Sequence, residues 1–519
     1  MTSPTSRQEA RPSVGRAEGI ALGCVVAVFA IVLGLWAVLV PPFQAPDEQA
    51  HFDTALHLAT GDPWVGPGDQ RYLRAVQAAA GEAAADQTAF PPASRSTVEE
   101  LRTANPGIDV GAVDQMTQHP PTAYVLQAVL LRLVGFEHLR WDHALLTLRI
   151  ADASLVLPLP LLAWAAVRRI TRSPRAAVVG AAAVLAAPEL ASIAASVTND
   201  ALVYLLGGVV TAVLVRVLTG DRRRRVLVVL GLALGALVLT KGTGLPAVPV
   251  VALALVVGPG APRWGRRTVE TLGTLMLAGA FGGWWWVRNV VVHHTLQPDG
   301  YAAIRPPQSF PPGEGPDLAT FVDVSWGTVI RTFWGSFGSN ASAALSPWLV
   351  VPVTLVTVGV VAVLAFRRAP ERRAAVVLAV FPVLLLAGQT ITSARAYLVT
   401  ASVVGTQGRY LFPSLVALVV LSAVAWRRLP TGRRRSGALP VALTAAAVAM
   451  ACTGLVTAAT RLVPDSGYAV WSEGAPGSTA IAALGVAALA VTAVALSAVA
   501  RTPPSLPRGG LDGHAPEPR

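Results

Sequence analysis

An all-α integral membrane bundle of about twelve spanning helices is the fold this chain predicts, and three observations predict it. Of its 519 residues, 53% are hydrophobic and only 13% charged, with a mean hydropathy of +0.55. Apolar runs near the ~20 residues needed to cross a hydrocarbon core recur from residue 20 to residue 500. The arginines cluster in short loops between those runs, the pattern that orients a chain in a bilayer. Composition excludes an ordinary soluble enzyme. The net charge of +12 lies in those loops, so it argues for membrane lipids and not for a nucleic-acid partner. Lysine occurs once, at Lys241. The two cysteines, Cys24 and Cys452, fall inside apolar runs and imply neither a disulfide nor a metal framework.

The first run, 20–40, follows Arg7, Arg11 and Arg16 and ends at Pro41-Pro42, with no small-residue cleavage site. It reads as an uncleaved anchor with its N-terminus inside. Next comes PPFQAPDEQAHF (41–52), which sets Asp47, Glu48 and His51 where the chain leaves the bilayer. Ionisable groups there are costly unless solvated, paired or used. The plainer reading makes Asp47 the N-cap of the periodic run EQAHFDTALHLA. Residues 61–118, rich in Ala, Gly, Pro and scattered acids, read as a mobile stretch between two chemical ends.

The apolar stretch 121–136 is the thirteenth candidate span. Counting it would turn VRRITRSPR, DRRRR, PRWGRR, FRRAPERR and WRRLPTGRRR outward, against the positive-inside rule. It is therefore expected as a helix lying on the outer face, anchored by Arg132 and opened by His119-Pro120-Pro121. Spans are then expected at 144–167, 176–195, 200–219, 226–242, 244–260, 268–290, 347–366, 374–393, 410–426, 437–459 and 478–500. Both termini become cytoplasmic, with external loops at about 41–143 and 291–346. Three parts follow: a transmembrane domain with its loops (1–430), C-terminal helices (431–500) and a Pro/Gly-rich tail (501–519) expected to be disordered.

On this topology the intramembrane ionisable residues all fall near the outer interface. Arg149 and Asp152, three apart, share a helix face and suggest an ion pair. Glu189, the Thr198-Asn199-Asp200 turn, Lys241 in TKGTG, Arg288-Asn289 and Gln407-Gly408-Arg409-Tyr410 lie at the same level. A transporter places its polar groups near the midplane, on broken helices in repeated halves. No repeat and no mid-depth charge is evident, which favours a site opening outward. Trp284 to Trp286 read as an interfacial aromatic belt.

The motifs PDEQAHF, HPPTAY, SVTNDAL, TKGTGL, WWWVRN and QGRYLFP occur in that order along residues 20 to 430. Together they resemble a family of predicted bacterial membrane proteins of undefined function placed in the GT-C glycosyltransferase superfamily. The resemblance implies a membrane glycosyltransferase using a polyprenyl-phosphate sugar donor. Its acceptor would be an envelope glycan, lipid or protein at the outer face of the plasma membrane. In that superfamily an acid in the first external loop is the catalytic base, and the matching positions are Asp47 and Glu48. A second acidic motif matches Asp200. The chain lacks a clean Asp-x-Asp, so metal dependence does not carry over.

The residues support a mechanism of that kind. A lipid-phosphate leaving group is already anionic and needs cations, not a general acid. Arg409, Arg288 and Lys241 are the candidates, with Arg149, Asn199 and His119 completing the binding set. Asp47 is the first choice for the base that accepts the acceptor proton, Glu48 the second. His51, one helical turn on, would hold the base, and Asp200 would bind sugar hydroxyls or a divalent cation. A cation site would draw on Asp47, Glu48, Asp200 and His119. An exporter or flippase of lipid-linked saccharides is the alternative that would also need outward cations.

Overall fold

The computed structural model describes residues 14–85, 92–260, 263–300, 308–338, 342–429, 437–462 and 478–505. Helices dominate. Two small antiparallel pairs, Arg71–Leu73 with Ile108–Val113 and Ser336–Phe337 with Ala343–Ala344, are the sheet among the described residues.

Eight helices there are long and apolar enough to cross a membrane: Arg16–Leu39, Trp141–Thr171, Asp200–Leu218, Pro347–Leu364, Arg372–Val399, Gly408–Arg427, Ala438–Leu462 and Thr479–Arg501. The pair Pro174–Ala186 and Pro188–Ala194, bent by 65°, makes a ninth if it is one span. The count of twelve is not reached on length. The runs expected at 226–242 and 244–260 form the shorter helices Arg224–Val238 and Ala247–Val257, parted by a 3-10 turn over Gly242–Gly244. The run expected at 268–290 is interrupted by a π turn, Gly279–Gly283, between Trp264–Ala278 and Trp284–His293. Glycine supplies both breaks, since it holds a regular helix weakly.

A group of arginines paired with carboxylates gathers at one end of the bundle. Arg168, Arg216, Arg222, Arg427 and Arg428 lie there, paired with Glu18, Asp221, Glu270 and Glu371. The opposite end is formed by the C-terminus of the first helix and the N-termini of the helices beginning at Trp141, Asp200 and Gly408. The first large loop sits on that end.

That loop is folded, which corrects the reading of 61–118 as mobile for the described residues. Helices Glu48–Thr60, Arg74–Ala84, Val98–Ala104 and Thr122–Leu133 enclose a core of their own, including Phe52, Leu56, Val76, Leu101 and Leu131. Trp141, Leu145 and Leu148, from the helix that follows, complete it. The loop's own share of this core is rich in alanine, and the helix that begins at Trp141 adds three of its larger side chains.

Helix Thr122–Leu133, at ~1.5 Å per residue, is too short to span. It buries Tyr124, Gln127 and Leu131 and exposes Val125, Leu126, Val129 and Leu133. This agrees with a surface helix. Arg132 has another task than anchoring, however: its guanidinium donates to Ala59 O (2.8 Å) and Leu58 O (3.1 Å). It thereby caps the last turn of helix Glu48–Thr60. At the chain end, Arg175 Nε donates to Thr502 O (2.7 Å) and Ser173 Oγ to Pro504 O (2.5 Å). The start of the tail expected to be disordered is therefore tied down, while 506–519 lie outside the described residues.

Candidate active site

Asp47 and Glu48 are adjacent carboxylates with opposite surroundings. Asp47 sits in the left-handed region (φ +59°) at the start of helix Glu48–Thr60, yet its side chain makes no capping bond. Such a conformation costs a non-glycine residue ~1–2 kcal/mol, least for Asp and Asn. It turns the carboxylate, 38% exposed, toward Arg409, with Nη2 3.4 Å from Oδ2. The plain N-cap reading therefore fails.

Glu48 is fully buried. Its Oε1 accepts from Arg149 Nε (2.7 Å) and Val197 N (3.1 Å), and its Oε2 from Arg149 Nη2 (2.6 Å) and Phe43 N (2.9 Å). Arg149 spends its other N–H groups on the carbonyls of Ala37, Val40 and Pro41. Every guanidinium donor is engaged. The pair staples the exit of the first helix to the helix carrying Arg149. Both side chains are fully buried with their polar groups engaged, so the sequence assignments of Glu48 as second base and Arg149 as phosphate ligand do not match the geometry.

The Arg149–Asp152 pair is likewise not the partnership formed. Asp152 accepts instead from Gln127 Nε2 (2.9 Å) and Thr198 N (2.9 Å). This fixes the turn that presents Asn199 and Asp200. Lys241 then reaches across from its hairpin. Its Nζ donates to Asp200 Oδ1 (2.6 Å) and Asn199 Oδ1 (3.0 Å).

Arg409 opens the helical turn Gly408–Ser414. Gly408 permits that placement: a Cβ there would lie 2.2 Å from Val329 O and 2.3 Å from Phe333 N. Arg409 is 7% exposed, and its Nε is buried with no partner among the described residues. Lys241 Nζ and the Arg409 guanidinium lie 5.9 and 5.8 Å from the ring centre of Tyr410, so the two cations share one aromatic neighbour.

His51 stacks on Tyr124 and meets its hydroxyl through Nδ1 (2.9 Å). Burial pushes the His51 pKa down to about 4, against the opposing pull of Asp47. His119 is held well below the usual histidine range by burial, then by the Lys241 charge, and its Nδ1 is buried without a partner. Both imidazoles are neutral at pH 7. Arg288 stands apart: it is exposed, over the Trp285 ring at 5.1 Å, with Asn289 Oδ1 at 3.4 Å. No contact joins it to the cluster among the described residues. Trp286 is buried and donates to Val238 O (2.9 Å), so it braces the lysine hairpin.

The structure thus brings together Asp47, His51, His119, Asn199, Asp200, Lys241 and Arg409. Sequence reasoning missed Tyr124 and Tyr410. Both lie inside quoted motifs, HPPTAY and QGRY, and the motifs themselves are the signal that could have found them. A cation set of Asp47, Glu48, Asp200 and His119 does not fit: Arg149 occupies Glu48, and Lys241 holds Asp200. Among the described residues no group of three His, Cys, Asp or Glu is arranged to hold a metal ion.

A family described as "Predicted membrane protein (DUF2142)" matches residues 29–418, which include every residue of the cluster. The chain belongs to that family. No curated protein matches the chain. Among solved structures it is similar to ArnT from Cupriavidus metallidurans bound to undecaprenyl phosphate. There the identity is 17% and the TM-score 0.45, covering 92% of this chain and 76% of that one. It is also similar to the Archaeoglobus fulgidus oligosaccharyltransferase (12% identity, TM-score 0.44, 84% and 55% covered). A third is the Saccharomyces cerevisiae protein O-mannosyltransferase Pmt1-Pmt2 complex bound to the sugar donor (17%, 0.37, 56% and 36%). Likeness at this level says nothing of activity.

Proposed function

We propose that this member of the family is a membrane glycosyltransferase that moves a sugar from a polyprenyl-phosphate donor to an acceptor hydroxyl. The observation that carries the reading is the Asp47–Arg409 pair: a solvent-reaching carboxylate beside a buried guanidinium whose Nε has no partner among the described residues. A buried guanidinium calls for acceptor oxygens, and a phosphate supplies them in matching geometry. Arg409 and Lys241 take the phosphate. Asp47 takes the proton of the acceptor hydroxyl as its oxygen bonds to the anomeric carbon and the bond to the phosphate oxygen breaks. The lipid phosphate leaves as an anion, with Arg409 bearing the charge and no general acid needed.

The motif order supports the donor class. The separation of this cluster from the arginine end supports an outward-facing site, because basic loops stay cytoplasmic. Outside the cytoplasm a lipid-borne donor replaces a nucleotide sugar, and an envelope glycan, lipid or protein is the acceptor. The test is a reconstituted protein given a panel of polyprenyl-phosphate sugars. Asp47→Asn should retain donor binding and lose transfer by a factor of ~10²–10⁴. Arg409→Met should lose binding of the polyprenyl phosphate itself. Donor binding undisturbed by Arg409→Met, with full transfer by Asp47→Asn, defeats the reading.

A further inference from the structure

The hydrogen bonds that lead from Lys241 to His51 have a fixed polarity. An ammonium only donates, so the Asn199 atom 3.0 Å from Lys241 Nζ is the amide oxygen. The amide nitrogen then faces the Tyr124 hydroxyl at 3.2 Å and donates to it. The phenol oxygen, accepting there, has one hydrogen left, and His51 Nδ1 at 2.9 Å is the acceptor in reach. We infer that Asn199 and Tyr124 are positioning residues that transmit the lysine's donor character to His51 and fix it as the neutral Nε2–H tautomer.

Both ends of this chain of bonds are held independently. Thr122 Oγ1 donates to Leu239 O (2.6 Å), tying the Tyr124 helix to the hairpin that bears Lys241. Gln127, on the same helix, bonds to Asp152 and to Thr198 O, one residue before Asn199. The charged groups acting on the imidazole are Asp47, Lys241, Asp200 and Arg409, and His119 is a further neutral ring beside it. Burial outweighs them all and keeps His51 uncharged.

The consequence rests on the transferase reading. A neutral His51 offers one N–H, with no partner among the described residues, to a hydroxyl or phosphate oxygen of the ligands. With Nδ1 engaged and Nε2 protonated, it has no free lone pair with which to compete with Asp47 for the acceptor proton. The site keeps a single base and gains an uncharged donor next to it.

Nitrogen NMR of the full chain, labelled at its eight histidines, tests the tautomer without any assay of activity. His51→Gln identifies the His51 signals by their loss. The native chain should show an unprotonated Nδ1 and a protonated Nε2 at neutral pH. Asn199→Asp should reverse the polarity: a carboxylate accepts from the Tyr124 hydroxyl, whose oxygen then accepts from Nδ1–H. Tyr124→Phe, milder for folding, should leave His51 in mixed tautomers. A protonated Nδ1 in the native chain, or unchanged His51 signals in both variants, overturns the inference. In the transfer assay His51→Gln, which keeps a donor near Nε2, should stay within about fivefold of native. His51→Asn should lose about tenfold or more, the scale of one hydrogen bond. Native transfer in both would remove His51 from the reaction but leave the tautomer result standing. Absence of transfer in the native chain would sink the transferase reading and leave the NMR result intact.

Discussion

Asp47 and Glu48 show how far two like residues can be driven apart by backbone geometry. The left-handed turn at Asp47 sends one carboxylate to the open side, while Arg149, 101 positions later, pulls the other into the protein. Sequence could place the pair at the membrane exit and prefer Asp47, but it could not show that Glu48 is buried, because the residue that holds it comes from a distant helix. The same holds for Asp152, which looks like Arg149's partner on helical spacing and instead pins the Asn199–Asp200 turn. A buried pair with one member removed leaves a stranded charge, at a cost of ~3–5 kcal/mol. Arg149→Met should therefore lower the thermal midpoint in detergent markedly, and Arg149→Met with Glu48→Gln should recover part of the loss. Asp47→Asn should leave the midpoint almost unchanged. Equal midpoints for Arg149→Met and Asp47→Asn would contradict the division of roles.

The loop helices carry a second ionisable cluster, which ties helix Glu48–Thr60 to the β pair. His57 Nδ1 meets Asp62 at 2.7 Å, its Nε2 meets Arg71 O at 2.9 Å, and Asp53 lies 3.4 Å away. Burial opposes charge on this ring, yet Asp53 and Asp62 prevail and raise its pKa to about 9. Asp53 and Asp114 are both raised, by burial first and, for Asp114, by the neighbouring Asp53. The signs agree. A histidine raised above 6.5 lends its stability fully below that pH and loses it as pH climbs through about 9. Carboxyls raised by burial also weaken the folded loop as they are forced to ionise. Hydrogen exchange over residues 48–73 should therefore be slow near pH 6 and faster toward pH 9, with His57→Asn flattening the change. Exchange that slows with rising pH, after correction for intrinsic chemistry, would refute this. Hydropathy could not reveal such an element: its strands are short, and part of its core, Trp141, Leu145 and Leu148, comes from the helix that follows.

Across the whole molecule, hydropathy and arginine placement made the membrane bundle legible, along with the end on which the ionisable motifs gather. The long spans were readable because each is continuous and apolar. The span count was not, because Gly242–Gly244 and Gly279–Gly283 break runs whose composition alone looks continuous. The common level of Asp47, Asp200, Lys241 and Arg409 was legible, but their mutual contacts were not, since these join segments up to 362 positions apart. Basic loops on one end and the folded loop on the other predict a definite orientation. A cysteine at Thr103 should react with an impermeant thiol reagent in intact cells, and one at Arg223 only after permeabilisation. The reverse pattern would put the site on the cytoplasmic side and remove the case for a lipid-borne donor.

The most direct measurement compares cells lacking this protein with cells restored by the native chain or by Asp47→Asn, reading envelope glycan linkages and the polyprenyl-phosphate sugar pool in the same extracts. If Asp47 is the base, the null and Asp47→Asn cells lose the same linkage and accumulate the same lipid-linked sugar, and the native chain corrects both. Full correction by Asp47→Asn would contradict the account and turn it toward export of lipid-linked saccharides.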